Sequence, residues 1–327
     1  MKIKIQLNLG ENDYDPQEFV NAAVYAEEMG FDTVWFGDHI FPWFHSGKRS
    51  SFVWSVLPVA LEKTDRLTVG PWVTVPIGAR YHPALVAQAV ATIDNMYPGR
   101  LLLAVGSGEA LNERPFLNGR WPKWEERMDR LVEGVRLMRL MWDSKEPFSF
   151  NGKYFSSDFY HLYTKPKNRI PVYFSAIGRR AARMAGEYGD ALVTICPRNS
   201  LETMREVILP SYRQGRLDAG KKSLGEVAIE LGFSFKTPEE MVRTEWRSLG
   251  LYRKDSWSIP DPIAVEEEGK KATMEDVQKN IHFCGSWKDV VSLIEEYSGI
   301  GIASFSLYSG ADRSQIRQIA ENVLKVF

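Results

Sequence analysis

Apolar positions in this chain fall into short runs that alternate with longer stretches of helical spacing. Residues 3–9 alternate polar and apolar, as a half-buried strand does. Residues 34–36, 67–73, 100–105, 172–174, 191–195, 227–235 and 302–308 read as seven further strands, several of them nearly pure apolar runs. Between them, helical spacing predicts helices at 17–29, 52–61, 83–96, 123–142, 178–188, 201–219, 238–247, 274–281, 287–297 and 311–326. Pro16 stands where a first helical turn tolerates proline, and Gly30 where a helix ends. Two segments break the alternation. Residues 145–164 contain FSFNGKYF, an Asn-Gly hairpin signature between two aromatic segments. Residues 250–271 read as irregular, with prolines at 260 and 262. Eight strand–helix units without a composition break predict one (β/α)8 TIM barrel domain over residues 1–327, with insertions after strands 4 and 7. A doubly wound sheet is the alternative.

Composition narrows the partners. Lys and Arg number 41 and Asp and Glu 42, a formal net charge of −1, so no charge excess argues for nucleic acid or a membrane surface. Aromatic residues are plentiful, with ten Trp, which fits either a large core or a pocket for a flat ring. Cys196 and Cys284 are far apart and form no CxxC pair, which predicts a reducing, cytoplasmic setting rather than a disulfide scaffold or thiolate metal site. The five histidines lack metal-ligand spacing, so no metal is expected. No apolar segment is long enough to predict a signal peptide or a membrane span.

A barrel places chemistry at the C-terminal ends of its strands. The densest set of candidates follows strand two, where FDTVWFGDHIFPWFH brings Asp38, His39 and Trp43 into one loop. After strand one come Glu11, Asn12 and Asp13, and after strand three the run Trp72, Val73, Thr74 and Val75. After strand four comes GSGEALNE, in which Gly106 and Gly108 permit close backbone approach, Glu109 projects at the mouth, and Asn112 can donate or accept. The same glycines could simply make a turn that caps a helix. After strand five comes SAIGRR, with Ile177, Gly178, Arg179 and Arg180; a helix N-terminus with two arginines suits an anionic group, or is a solvated basic face. Arg198 follows strand six, and Lys254 lies in the insertion after strand seven.

Three blocks carry a family resemblance: GFDTVWFGDHIFPWFH, residues 80–113 from RYHPALV to GSGEALNE, and IPVYFSAIGRRAARMAGEYGDALVT. They resemble the bacterial-luciferase-like superfamily, and within it the dehydrogenases that use the deazaflavin coenzyme F420, of the glucose-6-phosphate and secondary alcohol type. The resemblance implies a (β/α)8 barrel, usually a homodimer, that transfers a hydride to or from C5 of the deazaflavin. It implies that His39 is the active-site histidine, Trp43 its aromatic neighbour, and Glu109 the acid near the ring's N1. Asp38, Val75, Asn112, Ile177, Gly178, Arg180 and Ala181 fall on coenzyme-contacting positions, and Trp72-Val73 on the bulge that carries a non-proline cis peptide. Two departures concern the substrate. The family's strand-one glutamate position holds Asn12, beside Glu11, and of three phosphate-binding cations two correspond to Arg198 and Lys254, while the third is Asn280, beside Lys279.

The chemistry agrees with these roles. Oxidising an alcohol removes a hydride from carbon and a proton from oxygen; histidine is the natural base, and Asp38 or another carboxylate could fix its tautomer. Trp43 could donate its indole N–H where charge develops on oxygen. Two other readings compete: a flavin-dependent monooxygenase of the same superfamily, and a barrel that only binds the coenzyme.

Overall fold

The computed structural model describes residues 2–10, 14–47, 49–196, 200–253 and 255–327. Eight parallel strands form one sheet: β1 (Lys4–Asn8), β2 (Thr33–Gly37), β3 (Thr68–Trp72), β4 (Leu103–Val105), β5 (Val172–Ser175), β6 (Ala191–Cys196), β7 (Val227–Leu231) and β8 (Ser304–Tyr308). Strand β1 pairs with both β2 and β8. The two ends of the sheet, β3 and β4, meet through parallel bridges Val69–Leu101 and Thr74–Val105, which close the ring. The chain is therefore the barrel and not the doubly wound alternative, whose open sheet keeps two edges.

The outer layer is built on α1 (Pro16–Glu28), α2 (Val53–Glu62), α3 (Pro83–Met96), α4 (Trp124–Asp143), α5 (Arg179–Tyr188), α6 (Leu209–Asp218), α7 (Trp287–Gly299) and α8 (Arg313–Ile319). Pro16 occupies the first turn of α1, and Gly30 leaves it at φ 101°, a backbone only glycine adopts freely. Alternation along β2 sorts its side chains. Val34 and Phe36 pack outward under the helices, while Trp35 points into the barrel. Trp35 is fully buried, donates its indole N–H to Gln6 at 2.7 Å, and meets Trp72 and Tyr173 edge-on. This plug forms the floor on which the site above it rests.

Both interruptions exist but differ in detail from the sequence reading. Phe148–Asn151 and Ser156–Tyr160 pair as an antiparallel hairpin, yet Asn151 pairs with Ser156, so four residues make the loop rather than Asn-Gly alone. The reason is tertiary. Glu133 of α4 accepts the backbone N–H groups of Lys153, Tyr154 and Phe155, and Phe155 is drawn into the core. The insertion after β7 is also more ordered than expected. Pro262 does not break it but opens a helix, Pro262–Gly269, where Asp261 accepts the Ala264 N–H at 2.9 Å. Phe233–Ser234 and His282–Phe283 pair in parallel and tie the two ends of this insertion together.

Gly70 leaves room for Trp35. A Cβ there would lie 2.7 Å from both the Leu102 carbonyl oxygen and Trp35 Cζ3. Gly70→Ala is expected to destabilise the protein by about 1–3 kcal/mol through overpacking, read by denaturant unfolding. An unchanged midpoint would show that the plug does not constrain the barrel.

Candidate active site

A cavity of about 1260 Å³ opens at the C-terminal ends of the strands. One wall comes from the loop after β2. Asp38 is buried beneath it, and Thr74 and Tyr81 donate to its two oxygens at 2.5 and 2.8 Å. Arg80 lies 2.9 Å from the same carboxylate and also donates to the Asp38 carbonyl at 2.6 Å. On its other side Arg80 faces Glu113: its backbone N–H donates to Glu113 at 3.2 Å, and its Nε lies 3.7 Å from Oε1. One guanidinium thus holds two buried carboxylates. Burial pushes both acids upward, Glu113 to about 8, against the pull of Arg80.

His39 is mounted on this frame. It is 7% exposed, and its Nε2 lies 3.2 Å from Oε1 of Glu109. Two lone pairs cannot face each other at that distance, so one proton sits between them. Asn112 locks the arrangement from both sides. Its amide donates to the same Glu109 oxygen at 2.7 Å, and its carbonyl accepts the backbone N–H groups of Ile40 and Phe41 at 3.0 and 3.4 Å. The ring of Trp43 stands edge-on to His39 with centroids 4.3 Å apart. Burial, aided by the positive charge of Arg80, lowers the His39 pKa to about 3, so the imidazole is neutral across the physiological range.

Of the carboxylates that could fix the His39 tautomer, the geometry brings up Glu109 and not Asp38. Its oxygens are turned to Thr74, Tyr81 and Arg80, and the carboxylate against His39 is Glu109. Asp38 anchors the loop, because a buried carboxylate is satisfied by the strongest donors within reach. Thr74, expected at the cofactor, is fully buried with its hydroxyl committed to Asp38.

The floor is the end of β3. The Trp72–Val73 peptide is cis, as the resemblance implied. Trp72, Val73 and Val75 border the cavity, as do Gly108, Glu109 and Asn112 from the loop after β4. Ile177, Gly178, Arg179, Arg180 and Ala181 line the side formed by the start of α5. Asn280 also borders the cavity, and its amide donates to the carbonyls of Asp276 and Tyr252. Near it Phe233, Phe235 and Trp287 form an edge-to-face aromatic cluster. Asn12, Arg198 and Lys254 lie outside the described residues.

Several residues at this site had no assigned role in the sequence. Arg80 and Glu113 were within quoted motifs, but their pairing across 33 positions has no local signature. Glu230 lines the floor, where Asn8 donates to it at 2.8 Å and the Trp72 indole also bonds to it; burial raises its pKa. A glutamate in the middle of a strand-seven apolar run, one residue from its end, was the available signal. Among the described residues no group of three or more His, Cys, Asp or Glu could hold a metal ion. No described helix is long and apolar enough to cross a membrane.

A parallel barrel with an occluded histidine–carboxylate pair at its mouth defines a member of the TIM-barrel enzymes. More narrowly, the chain belongs to the luciferase-like monooxygenase family, whose model matches residues 2–304. It is 34% identical over 330 residues to an F420-dependent glucose-6-phosphate dehydrogenase of Rhodococcus erythropolis, covering 99% of this chain and 97% of the relative. A solved F420-dependent secondary alcohol dehydrogenase, in complex with an F420-acetone adduct, superposes with a TM-score of 0.91 at 34% identity over 100% of both chains. The coenzyme F420 dependent tetrahydromethanopterin reductase of Methanopyrus kandleri shares the fold at a TM-score of 0.75 and 18% identity, over 100% of both chains.

The frame makes a pH prediction. Glu113 holds its proton up to about pH 8 in the folded protein but loses it near its ordinary value, 4.5, when unfolded. The folded state therefore binds more protons between those limits, and stability falls as pH rises through that window. Glu113→Gln should flatten this slope in thermal unfolding followed from pH 5 to 8; an unchanged slope would assign it elsewhere. Arg80→Met should cost about 3–5 kcal/mol, because buried Asp38 loses the cation 2.9 Å from it, and an unfolding midpoint near that of the wild type would contradict the account.

Proposed function

We propose that this protein is a coenzyme F420-dependent dehydrogenase acting on a CH–OH donor, either a secondary alcohol or a sugar phosphate, with His39 as the general base. The observation that carries the reading is the His39–Glu109 contact at 3.2 Å on the wall of a large cavity. The named activities of the two relatives at 34% identity support it. The cavity exceeds the roughly 300–1,000 Å³ of an ordinary small-molecule site, which leaves room for a tricyclic coenzyme and a substrate together. Val73 and Val75 offer a flat apolar support for the ring, with Gly106 and Gly108 closing in from the loop after β4. The start of α5 offers backbone N–H groups and two arginines to an anionic side chain.

When bound, the deazaflavin supplies a carbon, C5, that accepts or returns the hydride. The protein's residues handle the proton. The His39–Glu109 pair holds one proton between Nε2 and Oε1 and takes the substrate hydroxyl's proton as a second, which makes His39 an imidazolium. Glu109, 3.2 Å from Nε2, balances that charge. Trp43 stands beside the imidazole and can donate to the oxygen on which charge develops. Asn112 keeps the pair in register by binding the His39 loop and Glu109 at once. The resemblance further supports a homodimer in the cytoplasm, with a small-molecule substrate as partner.

Two measurements test this. Fluorescence titration should give binding of F420 far tighter than that of FMN; the reverse order would favour the flavin-dependent monooxygenase. Oxidation of an alcohol panel with F420 should fall about 10²–10⁴-fold in His39→Ala, with F420 affinity nearly unchanged. Because the imidazole is already neutral at pH 5, the wild-type rate should show no His39 acid limb between pH 5 and 8. Binding of F420 with no turnover on any alcohol would leave a coenzyme-binding barrel.

A further inference from the structure

Side chains fill the barrel interior in layers, and the layer nearest the cavity is polar. Gln6, Gly70, Tyr173 and Ala228 face the Trp35 plug from β1, β3, β5 and β7. Alternation aims the residues two positions further on, Asn8, Trp72, Ser175 and Glu230, inward as well. All four border the cavity, so they form the last layer beneath it.

Glu230 joins that layer together. Asn8 donates to it at 2.8 Å, and the Trp72 indole N–H also bonds to it. Asn8 in turn accepts the Gly10 N–H at 2.8 Å, at the turn that ends β1. Strands β3 and β7 stand four places apart in a closed ring of eight, on opposite sides of the barrel. The Glu230–Trp72 bond therefore spans the barrel interior. Among the described residues no cation pairs with Glu230. Burying an acid without one costs free energy that an apolar side chain of the same size would not. What the acid does that a methionine could not is accept both donors and so hold the Trp72 indole in one direction. The edge-on contact of Trp72 with Trp35, centroids 5.0 Å apart, is apolar and does not by itself fix that direction. From Trp72 the chain passes directly into Val73, and Val75 follows two residues later; both border the cavity.

We propose that Glu230 is a positioning residue for hydride transfer. By holding the Trp72 indole from the far side of the barrel, it fixes the strand end whose next residues, Val73 and Val75, support the coenzyme ring. This rests on the F420 reading above. Glu230 acts through Trp72 and does not itself exchange the substrate's proton, which stays with His39 and Glu109.

A double-mutant cycle tests this. Wild type, Glu230→Met, Trp72→Phe and the double variant are compared, with Glu230→Gln as the conservative replacement and thermal unfolding to confirm that each folds. Two quantities are read: the absorption spectrum of oxidised F420 bound to the protein without alcohol, and the single-turnover rate of F420 reduction by an accepted alcohol. A small displacement of the ring predicts a rate about 10- to 100-fold lower in Glu230→Met, a shifted spectrum of the bound coenzyme, and a nearly unchanged KM for the alcohol. Trp72→Phe should show the same loss and the same shift, the double variant no more than either, and Glu230→Gln a partial recovery, because residues that act through one bond are not additive. Wild-type rate and spectrum in either single variant would overturn the proposal. So would losses that multiply in the double variant, which would make the two residues independent, or a raised KM alone, which would make Glu230 a substrate contact. Should Glu230→Met not fold, Glu230→Gln and Trp72→Phe carry the cycle under the same criteria. Failure of wild type to bind F420 would refute the F420 reading and the proposal with it, whereas tight binding with a failed cycle refutes the proposal alone.

Discussion

Arg80 is the charge on which this site depends. It sits between the buried Asp38 and Glu113, and each acid comes from a different βα loop. A lone buried carboxylate would take up a proton or unfold its surroundings. Two of them flanking one guanidinium fasten the loop after β2 to the loop after β4. His39 follows Asp38 directly and Glu109 lies one helical turn before Glu113, so their separation is set by the cluster behind them. Asn112 repeats the tie one layer closer to the cavity, with neutral hydrogen bonds that do not alter the charge at the imidazole.

This division separates holding from reacting. The charged groups that position the wall are buried beneath it, and the groups proposed to handle the proton are on its face. Burial keeps His39 neutral, which suits a base, and Glu109 gives the transient imidazolium a partner without leaving a permanent ion pair in the pocket. The floor obeys the same economy. Trp35 fills the barrel from below, Trp72 packs on it, and the strand end above turns Val73 and Val75 to the cavity.

Much of this was legible in the sequence because it rests on local signals. Pro16 and Gly30 bound α1 as their backbone preferences require, and the alternation of apolar strands with helical stretches identified the barrel. The crowding of Asp38, His39 and Trp43 after β2 marked the site. What depended on distant contacts was not legible. The NG dipeptide misled about the hairpin because Glu133, far away in sequence, captures the loop's N–H groups. Pro262 looked like a breaker because helix N1 and loop prolines read alike without the Asp261 cap in view. Asp38 was offered as a partner for His39 because the two are adjacent in sequence, but adjacent residues on a strand end point in different directions.

The most direct test of the central claim follows the hydrogen itself. Oxidised F420 is incubated without oxygen with an accepted alcohol that carries deuterium on its carbinol carbon, and the reduced coenzyme is analysed by mass spectrometry. The account predicts one deuterium in the reduced coenzyme and none exchanged with solvent, because the carbon-bound hydrogen moves as hydride while the hydroxyl proton leaves through His39 and Glu109. Reduced coenzyme without deuterium, or turnover that requires oxygen, would contradict it.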